Sequence, residues 1–319
     1  MHDRVPPDAA PEALDNLFQM RSVQTALIEL GHETHSLEVS DPLDGTPAEL
    51  RLLAPDVVFN LVESVRGSGR WIHLAPEMLE NMNLPFTGGP SRAILETTNK
   101  LMAKNRLRQA GLPTPEWVTL NHASADITAE TKYIVKSTWE HASFGMDDEA
   151  ILTVRDVAEL RRELEARTRA MGGEWFAEEF IDGREFNLSL LGNATGPDVL
   201  PPAEIVFPEF GPDMARIVGY RAKWVADSFE YSHTPRTFDL TDRDDDLVNH
   251  LTDLAKKCWA LFELRGWARV DFRVDQNNRP FILEINANPC LADDAGYIAA
   301  ARQAGLDYPH VVDRILKDV

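Results

Sequence analysis

Two runs near the C-terminal end, "WARVDFRVD" from Trp267 and "FILEIN" from Phe281, carry charged and amide side chains at every second position inside otherwise apolar stretches. In an extended chain, residues two apart share a face. Arg269, Asp271, Arg273, Ile282, Glu284 and Asn286 are therefore expected on one side, with Val270, Phe272, Leu283 and Ile285 turned to a core. The runs are joined around Asn277-Asn278, and asparagine tolerates the positive φ of a tight hairpin turn. A turn centred there sets Asp271 opposite Glu284 and Arg269 opposite Asn286. Two facing carboxylates repel each other and cost stability unless a cation compensates them. An all-oxygen set of Asp271, Glu284 and Asn286 suits a hard ion such as Mg²⁺, which a site with few protein ligands shares with substrate phosphates, and this points to ATP. A second reading of the same residues is a surface ladder in which Arg269 and Arg273 neutralise the two carboxylates.

The elements that must position this hairpin follow an α/β pattern at first. "PEALDNLFQMRSVQTALIELG" has helical spacing and a stop at Gly31, "HETHSLEV" reads as a strand and "PDVVFNLVE" as a buried one. "LPFTGGPSRAILETTNKLMAKNRLRQAGLPTPEWV" gives a short strand, a Gly-Gly turn, two helices and a "GLPTP" break. "KYIVKSTW" and "EWFAEEFI" are strands flanking the helix "VRDVAELRRELEARTRA", a small α+β lobe. From Gly183 onward come the strands "REFNLSLLG", "AEIVF" and "ARVDFRV", a long helix from about Asp242 and a helical tail. The expected division is an N-terminal α/β unit over 1–97, a central lobe over 98–182 and a C-terminal α+β lobe over 183–319. The chain opens "MHDRVPPDAAPEALDNL", almost directly at a helix, so the expectation is either that a first strand is missing from the N-terminal unit or that the start is misassigned.

At 319 residues the chain exceeds one comfortable core, in keeping with several units. Its formal net charge of -20 is spread along the sequence, which disfavours nucleic acid and anionic membrane as partners. No apolar run approaches the roughly 20 residues that cross a bilayer, and no signal-peptide core is seen. Cys258 and Cys290 lie far apart with no second pair, which fits a reducing cytosol.

Four motifs in register give this reading a family. "GWARVDFRVD" followed by "FILEINANP" resembles the C-terminal metal-binding signature of ATP-grasp enzymes, in particular the D-alanine:D-alanine ligase branch. "LPFTGGPSRAILETTNKLMAKNRLRQAGLPTP" is similar to that branch's first interdomain junction, "YIVKSTWEHASFGM" to its phosphate-covering loop, and "AEEFIDGREFNLSLLG" to its adenine hinge. The resemblance runs from about Asp56 to the end. It implies a three-domain ATP-grasp fold, with ATP between the last two domains. It further implies a ligase that phosphorylates a carboxylate and then joins it to an amine through an acyl phosphate.

Residue by residue, the resemblance puts Asp271, Glu284 and Asn286 on one or two Mg²⁺ ions, with Mn²⁺ as a substitute. Lys100, Lys136 and Ser137 face the phosphates, as does Lys223, whose other reading is a strand-edge charge. Glu178, Glu179, Phe180 and Ile181 line the base, Glu185 takes the ribose hydroxyls, and Asn286 also borders the nucleotide. Arg269, with Ser143 and Lys223, would work on the reacting atoms, since a guanidinium beside the metal stabilises oxygens in both steps. No covalent nucleophile is required, so both cysteines are bystanders, with Cys290 bordering the acceptor pocket. The partners implied are a small-molecule carboxylate and an amine, and homodimers are common in the family.

The departures concern substrate. Glu63-Ser64 stands where the family commonly shows His-Gly, Ala142-Ser143 where two serines are usual, and Trp224 where a substrate-clamping tyrosine is usual. "NPCLADDAG" replaces the segment that receives the acceptor's carboxylate, and Asp293 and Asp294 are poor company for that group. The expected acceptor is therefore an amine other than D-alanine, either lacking a nearby carboxylate or carrying a second cation. Alternatively the two aspartates face solvent or cap the following helix. Two rival functions stand beside this reading, a genuine D-alanine:D-alanine ligase and a nucleotide-binding regulatory protein without chemistry.

Overall fold

The computed structural model describes residues 1–5, 11–39, 43–123, 131–141, 143–146, 148–212 and 214–319. Ala142, singled out in the sequence, lies outside them. The first region contains helices α1 (Pro11–Glu29), α2 (Thr46–Leu53), α3 (Leu74–Asn81), α4 (Ser91–Thr98) and α5 (Lys100–Gln109). The strands expected in this region are reduced to isolated parallel bridges, His2 to Glu38 and Leu61, and Val58 to Phe86. Met1–Asp3 occupy the place of the strand expected to be missing. His2 N donates to Leu37 O (3.0 Å), Val39 N to His2 O (2.9 Å) and Leu61 N to Met1 O (2.9 Å). Met1, Val39, Val58, Leu79 and Phe86 bury one apolar cluster there, so packing holds together a layer with few ladder hydrogen bonds.

The central region holds β1 (Trp117–Val118), β2 (Lys132–Ser137), β3 (Ile151–Thr153), α6 (Val157–Met171) and β4 (Trp175–Glu179). Its four strands form an antiparallel sheet in the order β1-β4-β2-β3. Helix α6 starts where the Asp156 carboxylate accepts from Glu159 N at 2.9 Å, satisfying an otherwise orphaned donor. Its Leu160 and Leu164 pack on Val118, Val135 and Trp175 of the sheet.

The last region holds β5 (Gly183–Leu191), β6 (Asp198–Val199), β7 (Ala203–Ile205), α7 (Tyr220–Trp224), α8 (Phe229–Ser232), β8 (Arg236–Thr237), α9 (Asp245–Leu261), β9 (Trp267–Asp275), β10 (Pro280–Asn286), α10 (Gly296–Gln303) and α11 (Tyr308–Lys317). The sheet order is β10-β9-β5-β7-β8, with β6 beside β5. Phe186, Leu188, Val270, Phe272 and Val274 bury one face against Leu251, Leu254 and Cys258 of α9. Gly183 opens β5 at a positive φ where a Cβ would fall 2.0 Å from Val274 O, so only glycine lets β5 meet β9.

The hairpin pairs as expected at its functional end, with Glu284 opposite Asp271 and Asn286 opposite Arg269. Nearer the turn the register shifts between Ile282 and Glu284. Asn278 adopts φ 56°, and Asp275 N donates to Arg279 O, so the loop is a residue longer than a two-residue turn. The bulge corrects the expected facing of two residues. Ile282 sits opposite Phe272 in the core, while Leu283 borders the cleft.

Candidate active site

The functional face of β9 and β10 looks into a cleft between the central and C-terminal sheets. Arg269 holds Asp271 through two hydrogen bonds, Nε to Oδ1 at 2.7 Å and Nη2 to Oδ2 at 2.8 Å. Asn187, two residues beyond Glu185 on β5, adds Nδ2 to Asp271 Oδ1 at 2.9 Å. Arg273 pairs instead with Glu185 at 3.0 Å. Burial pushes the Glu284 carboxyl up, but Lys100, Lys223, His141 and Arg269 outweigh it and bring it down to about 2. The arginine-only surface ladder is thereby corrected. These pairs are sunk in a cleft, and lysines from two other elements share the compensation.

Helix α5 is placed by Asn99, whose Oδ1 accepts from Met102 N at 2.9 Å. That cap leaves Lys100 at the first helical position, where its Nζ donates to Glu140 O at 2.8 Å and its backbone N to Thr138 O at 3.1 Å. One turn on, Lys104 forms an ion pair with Glu178 at 2.7 Å in which each side chain is only 1% exposed. Lys136 of β2 closes on the other oxygen of Glu178. Burial pushes the Glu178 carboxyl up, yet the two lysines hold it below the usual range. Burial lowers Lys100 and Lys223 as well, and burial raises Glu185 against the pull of Arg273.

Lys100, Lys136, Ser137, Ser143, Glu178 and Glu179 all border one cavity of about 550 Å³. So do Phe180, Ile181, Glu185, Lys223, Arg269, Asp271 and Glu284. Asn286 borders instead an adjoining cavity of about 970 Å³, which shares His141, Lys223, Arg269 and Glu284 with the first. Lys223 stands on the short helix α7, which corrects its strand-edge reading. Ser143 donates from Oγ to Val218 O at 2.8 Å, tying the loop after β2 to the segment before α7. Asn286 Oδ1 accepts from Asn288 N at 3.0 Å.

The oxygens of Asp271, Glu284 and Asn286 fit a hard divalent ion. Among the described residues no group of three His, Cys, Asp or Glu side chains is arranged for a metal. A set with two carboxylates has to complete its coordination with substrate or water oxygens. The cations at Lys100, Lys136 and Lys223 supply the matching surroundings for phosphates.

The second cavity reaches a different chemistry at its far end. Asp3 accepts from Glu63 N and Ser64 Oγ, both at 2.8 Å, and Glu63 accepts from Gln19 Nε2 at 2.5 Å. Where the two cavities adjoin, Cys290 Sγ donates to Asp15 Oδ2 at 3.1 Å, and both residues border each cavity. Burial raises Asp3 to about 6, and burial with the nearby Asp3 charge raises Glu63 to about 8. Asp293 pairs with Arg302 in solvent, and Asp294 offers its carbonyl to Arg236 Nη1 at 3.2 Å. The residue at the start of α10 is Ala295, so neither aspartate caps that helix.

Sequence reading missed Lys104, Asn187 and His141. Lys104 is four residues from Lys100 on one helix, and Asn187 two from Glu185 on one strand, so helical and strand spacing both carried a signal. His141 carried none beyond its place in the loop.

Residues 107–317 match the family model described as the C-terminus of D-ala D-ala ligase. An uncharacterized protein of Sinorhizobium fredii is 32% identical over 92% of this chain and 85% of its own length. A D-alanine–D-alanine ligase of Moorella thermoacetica is 31% identical over 92% of this chain and 91% of its own. The crystal structure of the Bacillus anthracis D-alanine–D-alanine ligase complexed with ATP superimposes with a TM-score of 0.72 at 18% identity, covering 97% of this chain and 94% of that one. The last likeness shows a shared ATP-grasp architecture of mixed helices and antiparallel sheets. Because the family model spans well over half of the chain and a relative above 30% identity spans nearly all of it, the chain belongs to the D-alanine–D-alanine ligase family.

Proposed function

We propose that the protein is an ATP- and Mg²⁺-dependent, ADP-forming ligase that joins a small carboxylate to an amine through an acyl phosphate, with a substrate pair other than two D-alanines. The observation that carries this reading is one cavity in which Lys100, Lys136, Lys223 and Arg269 meet Asp271 and Glu284 from five separate elements. A bound Mg²⁺ neutralises charge on the migrating phosphoryl group. The chain's own residues do the positioning. Asp271, Glu284 and Asn286 hold the ion, Lys100 and Lys136 hold phosphates, and Phe180, Ile181 and Glu179 flank the base. Glu185 reaches the ribose hydroxyls. Arg269, steered by Asp271, offers its guanidinium to oxygens that gain charge in both steps, with Lys223 and the loop at Ser143 beside it. The division into units at 1–97, 98–182 and 183–319 belongs to the same reading; one apolar cluster around Val58 and Leu79 lies within the first and one around Leu160 within the second, while the cluster under β5 and β9 also takes in Ile72, Ala93 and Leu107 from the other two.

The case for another substrate pair rests on the far end of the larger cavity. Asp3 and Glu63 border it there, with Asp15 and Cys290 where the two cavities adjoin, surroundings that suit an ammonium better than a carboxylate. A genuine D-alanine–D-alanine ligase is the second reading, favoured by the 31% identity to the Moorella thermoacetica enzyme. ADP release decides between them, measured with Mg·ATP, D-alanine and a panel of amines with and without a carboxylate or second cation. Full activity on D-alanine alone selects the second reading, and failure to bind Mg·ATP removes both. Among the described residues no helix is long and apolar enough to cross a membrane. Cys258 and Cys290 are free thiols, which accords with the proposed reducing, cytoplasmic setting.

A further inference from the structure

We infer that His141 is a contact residue for the transferring phosphoryl group, donating a hydrogen bond from Nε2 to one of its oxygens; this rests on the ligase reading above. His141 borders both cavities at the wall they share with Lys223, Arg269 and Glu284, where a nucleotide in one would meet a substrate in the other. Its Nε2 is buried and, among the described residues, has no hydrogen-bond partner. A polar atom left so is unfavourable unless a ligand completes it, and such orphans collect at functional sites.

The ring is held where it is. Glu140, the preceding residue, accepts Ser68 Oγ at 2.7 Å and Gly69 N at 3.3 Å on its carboxylate, and Lys100 Nζ on its carbonyl. A Cβ on Gly69 would lie 2.9 Å from Trp139 O and 3.2 Å from His141 Cδ2, so the loop and its imidazole pack directly on a glycine. Trp139 Nε1 donates to Glu174 Oε2 at 3.0 Å, fixing the loop on the other side. The imidazole is thus latched to a turn of the first region and cannot be displaced without breaking these contacts.

The charges around it select the ligand. Lys100, Lys223 and Arg269 lie near, with Glu284 opposing them, and burial with Lys100 lowers the ring to about 4. A neutral imidazole protonated on Nε2 is a donor, and the oxygens that three cations would gather are those of a phosphate. In the step itself the bond between the γ-phosphorus and the β–γ bridging oxygen breaks and a bond to the substrate carboxylate oxygen forms. His141 keeps its proton and donates more strongly as the equatorial oxygens gain charge.

The test needs no knowledge of the acceptor. Protein labelled with ¹⁵N-histidine is titrated with Mg·ADP and then with Mg·ADP plus aluminium fluoride, a stand-in for the phosphoryl group in flight. The His141 Nε2 resonance, identified by its absence in His141→Gln or His141→Ala, is expected to move on addition of the fluoride and far less with Mg·ADP alone. The gain in nucleotide affinity brought by aluminium fluoride should fall about 10- to 100-fold in His141→Ala, with partial recovery in His141→Gln, which keeps a donor. An unmoved resonance, or an undiminished affinity gain in His141→Ala, overturns the inference while leaving the ligase reading intact. Absence of Mg·ADP binding by the unmodified protein overturns both.

Discussion

The two ends of the joined cavities treat buried carboxylates in opposite ways. At the sheet end each is met by a cation: Glu178 by Lys104 and Lys136, Asp271 by Arg269, Glu185 by Arg273. At the first-region end Asp3 and Glu63 are met by Ser64 and Gln19, neutral partners only among the contacts described. Glu284 is accordingly drawn down to about 2, and Glu63 pushed up to about 8. Burial is similar; the compensating charge is what differs. One end suits phosphates and the metal proposed to accompany them. The other is short of positive charge, which a substrate ammonium would supply.

The largest test of that contrast is Glu284→Gln. It keeps the shape of β10 but removes one of the two carboxylates that would hold the ion, so ADP formation should fall by about 10³-fold or more while circular dichroism stays unchanged. A loss under tenfold would mean that Glu284 only balances Lys100 and Lys223. Next in size is Glu178→Gln, which strands Lys104 and Lys136 in a site 1% exposed at Glu178. Breaking a buried pair from one side typically costs about 3–5 kcal/mol, so urea unfolding should show a loss of that order. An unchanged midpoint would show that those lysines are solvated after all, and the sheet end would no longer contrast with the other.

How much of this was legible in the sequence depends on whether a local period or a distant partner decided it. The facing of Asp271 on Glu284 and of Arg269 on Asn286 followed from alternation about Asn277-Asn278, because strand periodicity is local. The bulge at Leu283 did not follow, since a one-residue loop extension leaves no mark in composition. Lys100, Lys136 and Glu185 were expected at the site through motif resemblance and border its cavity, yet the pairing of Glu178 with Lys104 was missed, being a contact between α5 and β4. In the first region, where a strand was expected to be missing, "MHD" makes isolated bridges only, through three residues with no strand signature of their own. Their place is set by Leu37, Leu61 and the apolar cluster around them. Asp293 and Asp294 looked alike in sequence, and only the fold separates the one paired with Arg302 from the one beside Arg236.

The smallest effect, and the one that isolates the first-region end, is the pH dependence of stability. Glu63 has an ordinary value of 4.5 and stands at about 8 in the folded protein, where burial and Asp3 favour its protonated form. The folded state then binds a proton that the unfolded state has released. Its contribution is complete below about pH 4.5 and drains away as pH rises towards 8, by up to roughly 1.4 kcal/mol per pH unit for each such proton. Asp3, raised from 3.8 to about 6, adds to the fall in the lower part of the same window. Glu63→Gln cannot ionise, so the difference between unmodified protein and variant, taken from urea midpoints at pH 5, 6, 7 and 8, should tilt steadily in the variant's favour. Taking the difference cancels groups common to both, such as His2. A flat difference, or one that tilts the other way, would mean that Glu63 is already compensated by a cation, and the contrast between the two ends would be lost.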